Sequence, residues 1–425
     1  MKRIYIILLL NLTLGTALMG SNQIKNRVET LIEEKSFIEL NRVLERSTDS
    51  IPSSIYLYAK ALCYNAFTEY EQSNQLINEI LESHKKEFDT KTCLLLLNTQ
   101  AQNYTNSYEY KKAAEIYHLI ITDYKDELEE SSLANYKNVK AINKTLADNH
   151  IDKQKVHLTH DIKLPIHHNQ FNHLMLPVKI NSKHDDFIFD TGAMMSTIPE
   201  SNAKRLGLTI YETDIKVGTS TDIDIRTKLG VADSLYFGDL LVENVVFLVT
   251  QDKDLYIEKY DYLLPGIIGF PVMAQLEEIR LAKQSVLIPH TPSTRNYSNL
   301  YMNEGRPIVQ LINGADTLKM AMDTGAKNTE LSYKYFKENK KRILAEGTLK
   351  TSQRGGAGGM IEDKTYDLPL FEFQVGSKKG ILDQISINTT DYPFIKGLDG
   401  NLGQDIFTSF DVMIINLKTM FIDFE

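Results

Sequence analysis

Only two cysteines occur in the 425 residues, Cys63 and Cys93. Two thiols cannot build the framework of a disulfide-stapled domain. Both sit among apolar neighbours in helical-looking sequence, so one bridge and two plain buried thiols are both open. A basic excess is also missing: 47 Lys and Arg face 56 Asp and Glu, for a net charge of -9. That balance offers a phosphate backbone no electrostatic footprint, so no nucleic-acid partner is expected. Past the N-terminal segment, no apolar run approaches the ~18 residues of a helical membrane span. Glycine is absent from residues 22–164, and Pro52 is the one proline there. Without those breakers the stretch can run as helix.

The N-terminus carries Lys2 and Arg3, a mostly apolar run from Ile4 to Leu18, then small Gly20 and Ser21. This predicts a cleaved export signal over residues 1–21, and so a periplasmic or secreted chain with no stable membrane span after cleavage. An uncleaved anchor is the alternative, although the run is short for one.

Residues 22–150 read as helices, with apolar residues three and four apart: Phe37, Leu40, Val43 and Leu44, then Leu76, Ile77, Ile80 and Leu81. Pro52-Ser53-Ser54 suits a helix start. Similar segments open at Phe37, Tyr70 and Tyr110, which are 33 and 40 residues apart. This loose repeat resembles tetratricopeptide-type helix pairs, which implies an all-α stack able to hold a protein partner. An irregular helical bundle is the alternative.

Near residue 150 the pattern changes. Short apolar runs such as Val245-Val246-Phe247-Leu248-Val249 alternate with Gly, Asn, Asp and Pro, which predicts β structure with frequent turns. Seven of the ten histidines fall between His150 and His184. Their spacing fits no metal-ligand pattern, so no metal is expected, and exposed strand and linker positions are the better reading.

Two copies of one tetrapeptide organise this half of the chain. Asp190-Thr191-Gly192-Ala193 and Asp323-Thr324-Gly325-Ala326 each follow an apolar run. A single copy would read as a surface turn. Downstream, Ile267-Ile268-Gly269 lies opposite Asn401-Leu402-Gly403: Gly269 is 79 residues past Asp190, and Gly403 is 80 past Asp323. Ile279-Arg280-Leu281 and Ile415-Asn416-Leu417 then read as closing strands. Matched spacing on this scale predicts two homologous lobes, over 155–292 and 296–425, joined near Thr291-Pro292.

Asp-Thr-Gly-Ala after an apolar strand, with a distant apolar-apolar-Gly, resembles the retropepsin-like aspartic proteases over roughly residues 170–425. Ala193 and Ala326, where pepsins carry Ser or Thr, and the polar Asn401 depart from the family pattern. The resemblance implies a multidomain α and β chain: a helix-pair stack, then two all-β lobes forming a pseudo-dimer. It implies an aspartic endopeptidase acting on protein or peptide substrates without a cofactor, with Asp190 and Asp323 as catalytic residues. Thr191 and Thr324 would cross-link the two turns, and Gly192 and Gly325 would admit close backbone approach. A hairpin flap would close each lobe: Gly356, Ala357 and Gly358 in the second, Gly218 and Thr219 in the first. An inactive scaffold on the same fold, or lobes pairing between chains, are the competing readings.

Overall fold

The computed structural model describes residue 20 and residues 22–425, except 48–49, 219–223 and 357–358. Apart from Gly20, the export signal expected over residues 1–21 lies outside the described residues, as do Thr219, Ala357 and Gly358. The chain divides into two units, up to Lys140 and from Ala141 onward.

The first region is helical throughout: α1 (22–33), α2 (Phe37–Ser47), α3 (Ser53–Ala66), α4 (Tyr70–Glu79), α5 (Thr90–Asn106), α6 (Tyr110–Asp123) and α7 (Glu130–Asp148). Three of its turns share one geometry. Lys35, Thr68 and Tyr108 sit at φ 53°, 64° and 63°. The next residue in each case donates its N–H to a carbonyl one helical turn back: Ser36 to Leu31, Glu69 to Tyr64, Glu109 to Tyr104. This is the left-handed helix ending that glycine usually supplies, here made by other residues. Each turn lies two residues before an aromatic anchor, at Phe37, Tyr70 and Tyr110, which explains why those segments look alike in sequence.

The unequal anchor spacing also has a structural cause. A π-turn (Ile80–His84) and a 3-10 turn (Lys85–Glu87) follow α4, and α5 has 17 residues where α3 has 14. Small residues let the helices approach: Ala61 packs with Ile77, Ile80 and Leu96, and Ala101 and Ala113 with Leu97, Tyr117 and Ile120. Cys63 and Cys93 are both buried free thiols. Burial pushes the Cys63 thiol up to about 12, so it stays protonated and inert.

The second region is β-rich. Its first half holds β1 (Lys155–His157), β2 (Ile162–Pro165), β3 (His167–His168), β4 (Leu174–Ile180), β5 (Lys183–Phe189) and β6 (Ser196–Pro199). The short helix α8 (Glu200–Leu206) precedes β7 (Thr209–Gly218), β8 (Asp224–Phe237) and β9 (Leu240–Thr250). A small hairpin, β10 (Tyr256–Ile257) and β11 (Tyr262–Leu263), leads to β12 (Ile267–Ile268), α9 (Phe270–Ala274), β13 (Glu278–Ala282) and β14 (Ser285–Ile288). The second half runs β15 (Leu300–Asn303), β16 (Arg306–Asn313), β17 (Asp316–Met322) and β18 (Glu330–Leu331), then helices α10 (Tyr333–Glu338) and α11 (Lys340–Glu346). It ends with β19 (Thr348–Gly356), β20 (Gly359–Val375), β21 (Lys378–Asn388), β22 (Gly400–Leu402), α12 (Asp405–Thr408), β23 (Val412–Asn416) and β24 (Phe421–Phe424).

The two halves pair their strands alike. One sheet contains the path β9-β6-β12-β5-β4-β8-β7, and the other β21-β18-β22-β17-β16, with β20 and β19 extending it beside β21. In each, the strand before the aspartate runs parallel to the late apolar strand: Ile188 opposite Ile267, Ala321 opposite Asn401. Each is antiparallel to its predecessor, β4 or β16.

A third sheet, β2-β14-β13-β23-β24, joins the halves within one chain. Its central pairing sets Ile279 against Ile415, so the two closing strands seen in sequence bond to each other. Fully buried Glu278 organises the join. Its carboxylate accepts from Arg280 Nε (2.7 Å), Ser293 N (2.7 Å), Ser293 Oγ (2.5 Å) and Asn416 Nδ2 (2.7 Å). Burial alone would raise its pKa, but the donors from Ser293, Asn416 and Arg280 outweigh burial and hold it below the usual range. A depressed pKa stabilises the fold above the ordinary carboxylate range, and that stability is lost as pH falls through the folded value. Glu278→Ala is expected to cost about 3 kcal/mol at pH 7 in urea unfolding, and progressively less as pH falls through the folded value, where wild type loses the same contribution.

Of the histidines, His157, His160, His167, His168 and His184 are exposed, whereas His173 is half-buried. Among the described residues no three His, Cys, Asp or Glu are grouped to hold a metal ion.

Candidate active site

Asp190 and Asp323 each stand at the point where a buried strand ends. The strand before each is paired on both sides, so its last residue has a set position. Asp190 N–H donates to Ile268 O at 3.1 Å, and Asp323 N–H to Leu402 O at 3.0 Å. The loops then fold back alike. Ala193 O accepts from Phe270 N at 2.8 Å, and Ala326 O from Gln404 N at 2.9 Å. Gly269 N donates to Ser196 Oγ and Gly403 N to Thr329 Oγ1, both at 3.0 Å. A Cβ on Gly269 would come within 2.6 Å of the Met195 carbonyl carbon, and one on Gly403 within 2.4 Å of that of Asn328. The glycine closing each apolar-apolar-Gly segment is therefore required by the aspartate loop lying against it.

The loops meet through their threonines. Thr191 N donates to Thr324 Oγ1 and Thr324 N to Thr191 Oγ1, both at 3.0 Å. Thr191 Oγ1 in turn donates to Met322 O (3.1 Å), and Thr324 Oγ1 to Phe189 O (2.8 Å). Each hydroxyl thus accepts from the opposite backbone and donates to the strand beyond it, and both threonines are buried. Thr324→Val would leave the buried Thr191 N–H without its acceptor. It is expected to cost about 2 kcal/mol of stability in chemical denaturation, with Thr324→Ser recovering most of the loss.

This clamp brings the carboxyls face to face. A Cβ built on Gly192 would lie 2.7 Å from Asp323 Oδ1, and one on Gly325 2.5 Å from Asp190 Oδ2. Each carboxylate also accepts its own loop's amide: Gly192 N to Asp190 Oδ1 at 2.8 Å, Gly325 N to Asp323 Oδ1 at 2.9 Å. Burial raises the pKa of Asp190 well above the carboxylate range, and the Asp323 charge raises it further. The Gly192 and Ala193 amides pull the other way without winning. Two acidic groups so placed share protons as a pair and titrate as one.

Four further residues converge here. Asn401 Nδ2 donates to Asp323 Oδ2 at 2.8 Å. Gln404 Nε2 donates to Thr324 O (2.8 Å) and Asn172 O (3.0 Å), and Gln404 Oε1 lies 3.0 Å from His168 Nε2. Burial lowers the pKa of His173, opposed by the charge of Asp323. Arg306 is also lowered by burial, opposed by Asp323, Glu304 and Asp190, and its guanidinium donates to Phe394 O. Asn401 carried a sequence signal as the polar residue in an apolar-apolar-Gly position. Gln404, His173 and Arg306 carried none, because their roles depend on contacts across long sequence separations.

Of the flap candidates, Gly218 and Gly356 are among the described residues. Gly218 ends β7 and pairs with Asp224 of β8. Gly356 ends β19 and pairs with Gly359 of β20. Both glycines therefore stand at the far ends of β-hairpins.

No curated protein matches the chain. Among solved structures, it is similar to a retropepsin-like aspartic protease from Rickettsia conorii, at 16% identity and a TM-score of 0.22, over 32% of this chain and 91% of that one. The stretch 176–272, which contains Asp190-Thr191-Gly192 and runs past Ile267-Ile268-Gly269, matches the model of a family described as aspartyl protease.

Proposed function

We propose that the chain is an exported aspartic endopeptidase whose two retropepsin-type lobes form a single-chain pseudo-dimer around Asp190 and Asp323. The observation that carries this reading is the reciprocal Thr191–Thr324 hydrogen bonding beneath two carboxyls that face each other. The aspartyl protease match over 176–272 supports it independently.

The chemistry follows from the pair. Two carboxyls at this proximity hold one proton between them. The ionised member takes a proton from a water molecule as its oxygen bonds to the peptide carbonyl carbon, and the protonated member gives its proton to the carbonyl oxygen. The resulting gem-diol collapses as a proton passes to the peptide nitrogen and the C–N bond breaks, releasing an amine and a carboxylic acid. The pair ends with one proton, as it began. The hairpins ending at Gly218 and Gly356 are the proposed flaps, by virtue of their length and glycine-bearing ends.

The helical region is proposed as a tetratricopeptide-like module that holds a protein partner or substrate. Three helix pairs with one turn geometry support that reading. Export is proposed from the N-terminal Lys2-Arg3 and the apolar run behind them. N-terminal sequencing of chain recovered from a cell's exported fraction should start near residue 22, and an intact Met1 there would count against it.

The test of activity is a peptide library assayed from mildly acid to neutral pH with a statine-type inhibitor as a control. Cleavage blocked by the statine supports the reading. Absence of both cleavage and statine binding would favour an inactive scaffold.

A further inference from the structure

The two aspartate loops match in strand pairing, threonine clamp and glycine amide, but the strand beside each aspartate offers a side-chain donor to one carboxyl and not to the other. Asn401 stands opposite Ala321, and Ile267 stands in the same place opposite Ile188. Asn401 donates to the Asp323 carboxyl at 2.8 Å, while isoleucine has no donor to offer Asp190. Asp323 Oδ1 is already held by the N–H groups of Gly325 (2.9 Å) and Ala326 (3.0 Å), so the amide bonds the remaining oxygen, Oδ2. Asn401 is 3% exposed, so it is hidden from a bound peptide and acts through the carboxyl it touches.

We propose that Asn401 is a positioning residue that makes the pair unequal, favouring Asp323 as the ionised member and leaving the shared proton on Asp190. This rests on the protease reading above and assigns roles within it: Asp323 takes the proton from water, and Asp190 protonates the carbonyl oxygen. The physical reason is that an N–H donor binds a carboxylate about twice as strongly as a neutral carboxyl. Burial beside Asp323, which raises the Asp190 pKa, points the same way. The other charged and titratable groups near the pair are His173, on the Asp323 side, and Arg306, which interacts with both carboxyls and also with Glu304. They are the same with or without Asn401, so a variant at that position isolates the amide.

The test compares wild type with Asn401→Leu in two measurements. The first is the pH profile of kcat/KM. Removing the donor makes the first ionisation of the pair harder, so the acid limb should move up by about one pH unit, with KM nearly unchanged. An unmoved limb, or one displaced to lower pH because the amide oxygen had faced a protonated Asp323, overturns the inference. The second needs no turnover: carbon-13 titration of the aspartate carboxyls in labelled protein, assigned with Asp190→Asn and Asp323→Asn. Unequal carboxyls in wild type that become more alike in Asn401→Leu support the inference even if no peptide is cleaved, in which case the protease reading alone fails. Equal carboxyls in wild type overturn it. If Asn401→Leu does not fold, Ile267→Asn places a matching amide beside Asp190 and should also make the carboxyls more alike. No such change would overturn the inference.

Discussion

Asp190→Asn is expected to lower kcat by at least about 1,000-fold while leaving the fold intact, and Asp323→Asn should do the same. The loss is large because the reaction asks one carboxyl to accept a proton and its neighbour to donate one, and an amide can do neither at useful pH. Stability should change in the opposite sense. The Asp190 carboxyl is buried beside Asp323, and its pKa lies above the carboxylate range. A raised folded pKa stabilises the native state at low pH, and that contribution is lost as pH rises through the folded value. Asp190→Asn removes the group that resists ionising. Its stability relative to wild type should therefore grow with pH, reaching roughly 1 kcal/mol on the alkaline side. Thermal melts of both proteins across the pH range check this. A variant that cleaves at more than a tenth of the wild-type rate would remove the shared pair as the catalyst.

Gly325→Ala and Gly192→Ala should be nearly as damaging, by a different route. The new methyl carbons would sit 2.5 Å from Asp190 Oδ2 and 2.7 Å from Asp323 Oδ1, well inside contact distance. Neither carboxyl can swing away without giving up the Gly192 or Gly325 amide that holds it. The loops must move apart, which strains the Thr191–Thr324 clamp as well. Overpacking of this kind costs about 1–3 kcal/mol. A displacement near 1 Å in the reacting groups costs on the order of 100-fold in rate. Steady-state kinetics should show that loss in kcat, and urea unfolding should show the loss of stability. Ala193 and Ala326, one residue on, already carry methyl groups, so the effect belongs to the position rather than to the side chain added.

Much of the architecture was legible because its signals are local. The glycine-free stretch folds as helices as far as Asp148, since little in it interrupts the backbone ladder. The β-rich character past residue 150 followed from frequent turn residues between short apolar runs. The anchors at Phe37, Tyr70 and Tyr110 marked real turns, although the sequence did not say why their spacing is uneven; a π-turn and a longer helix account for it. The histidine-rich segment read as exposed positions, which fits six of its seven members but not His173, drawn inward beside Asp323. That exception could not be anticipated, because Asp323 is 150 residues further along the chain.

For the two Asp-Thr-Gly-Ala segments, the sequence determined their duplication, their matched spacing and the glycine in each that leaves room for a close approach. Those properties depend on residue type and order, and they survive in a linear string. Tertiary structure decided the rest: that Thr191 and Thr324 bond each other, that Ile279 and Ile415 lie in one sheet, that Glu278 ties the join, and that the Asn401 amide reaches Asp323 and has no twin. Each of these is a contact of a few ångströms between residues 78 or more positions apart. Such contacts depend on how the two halves are packed, and a residue's neighbours in sequence carry no trace of that packing.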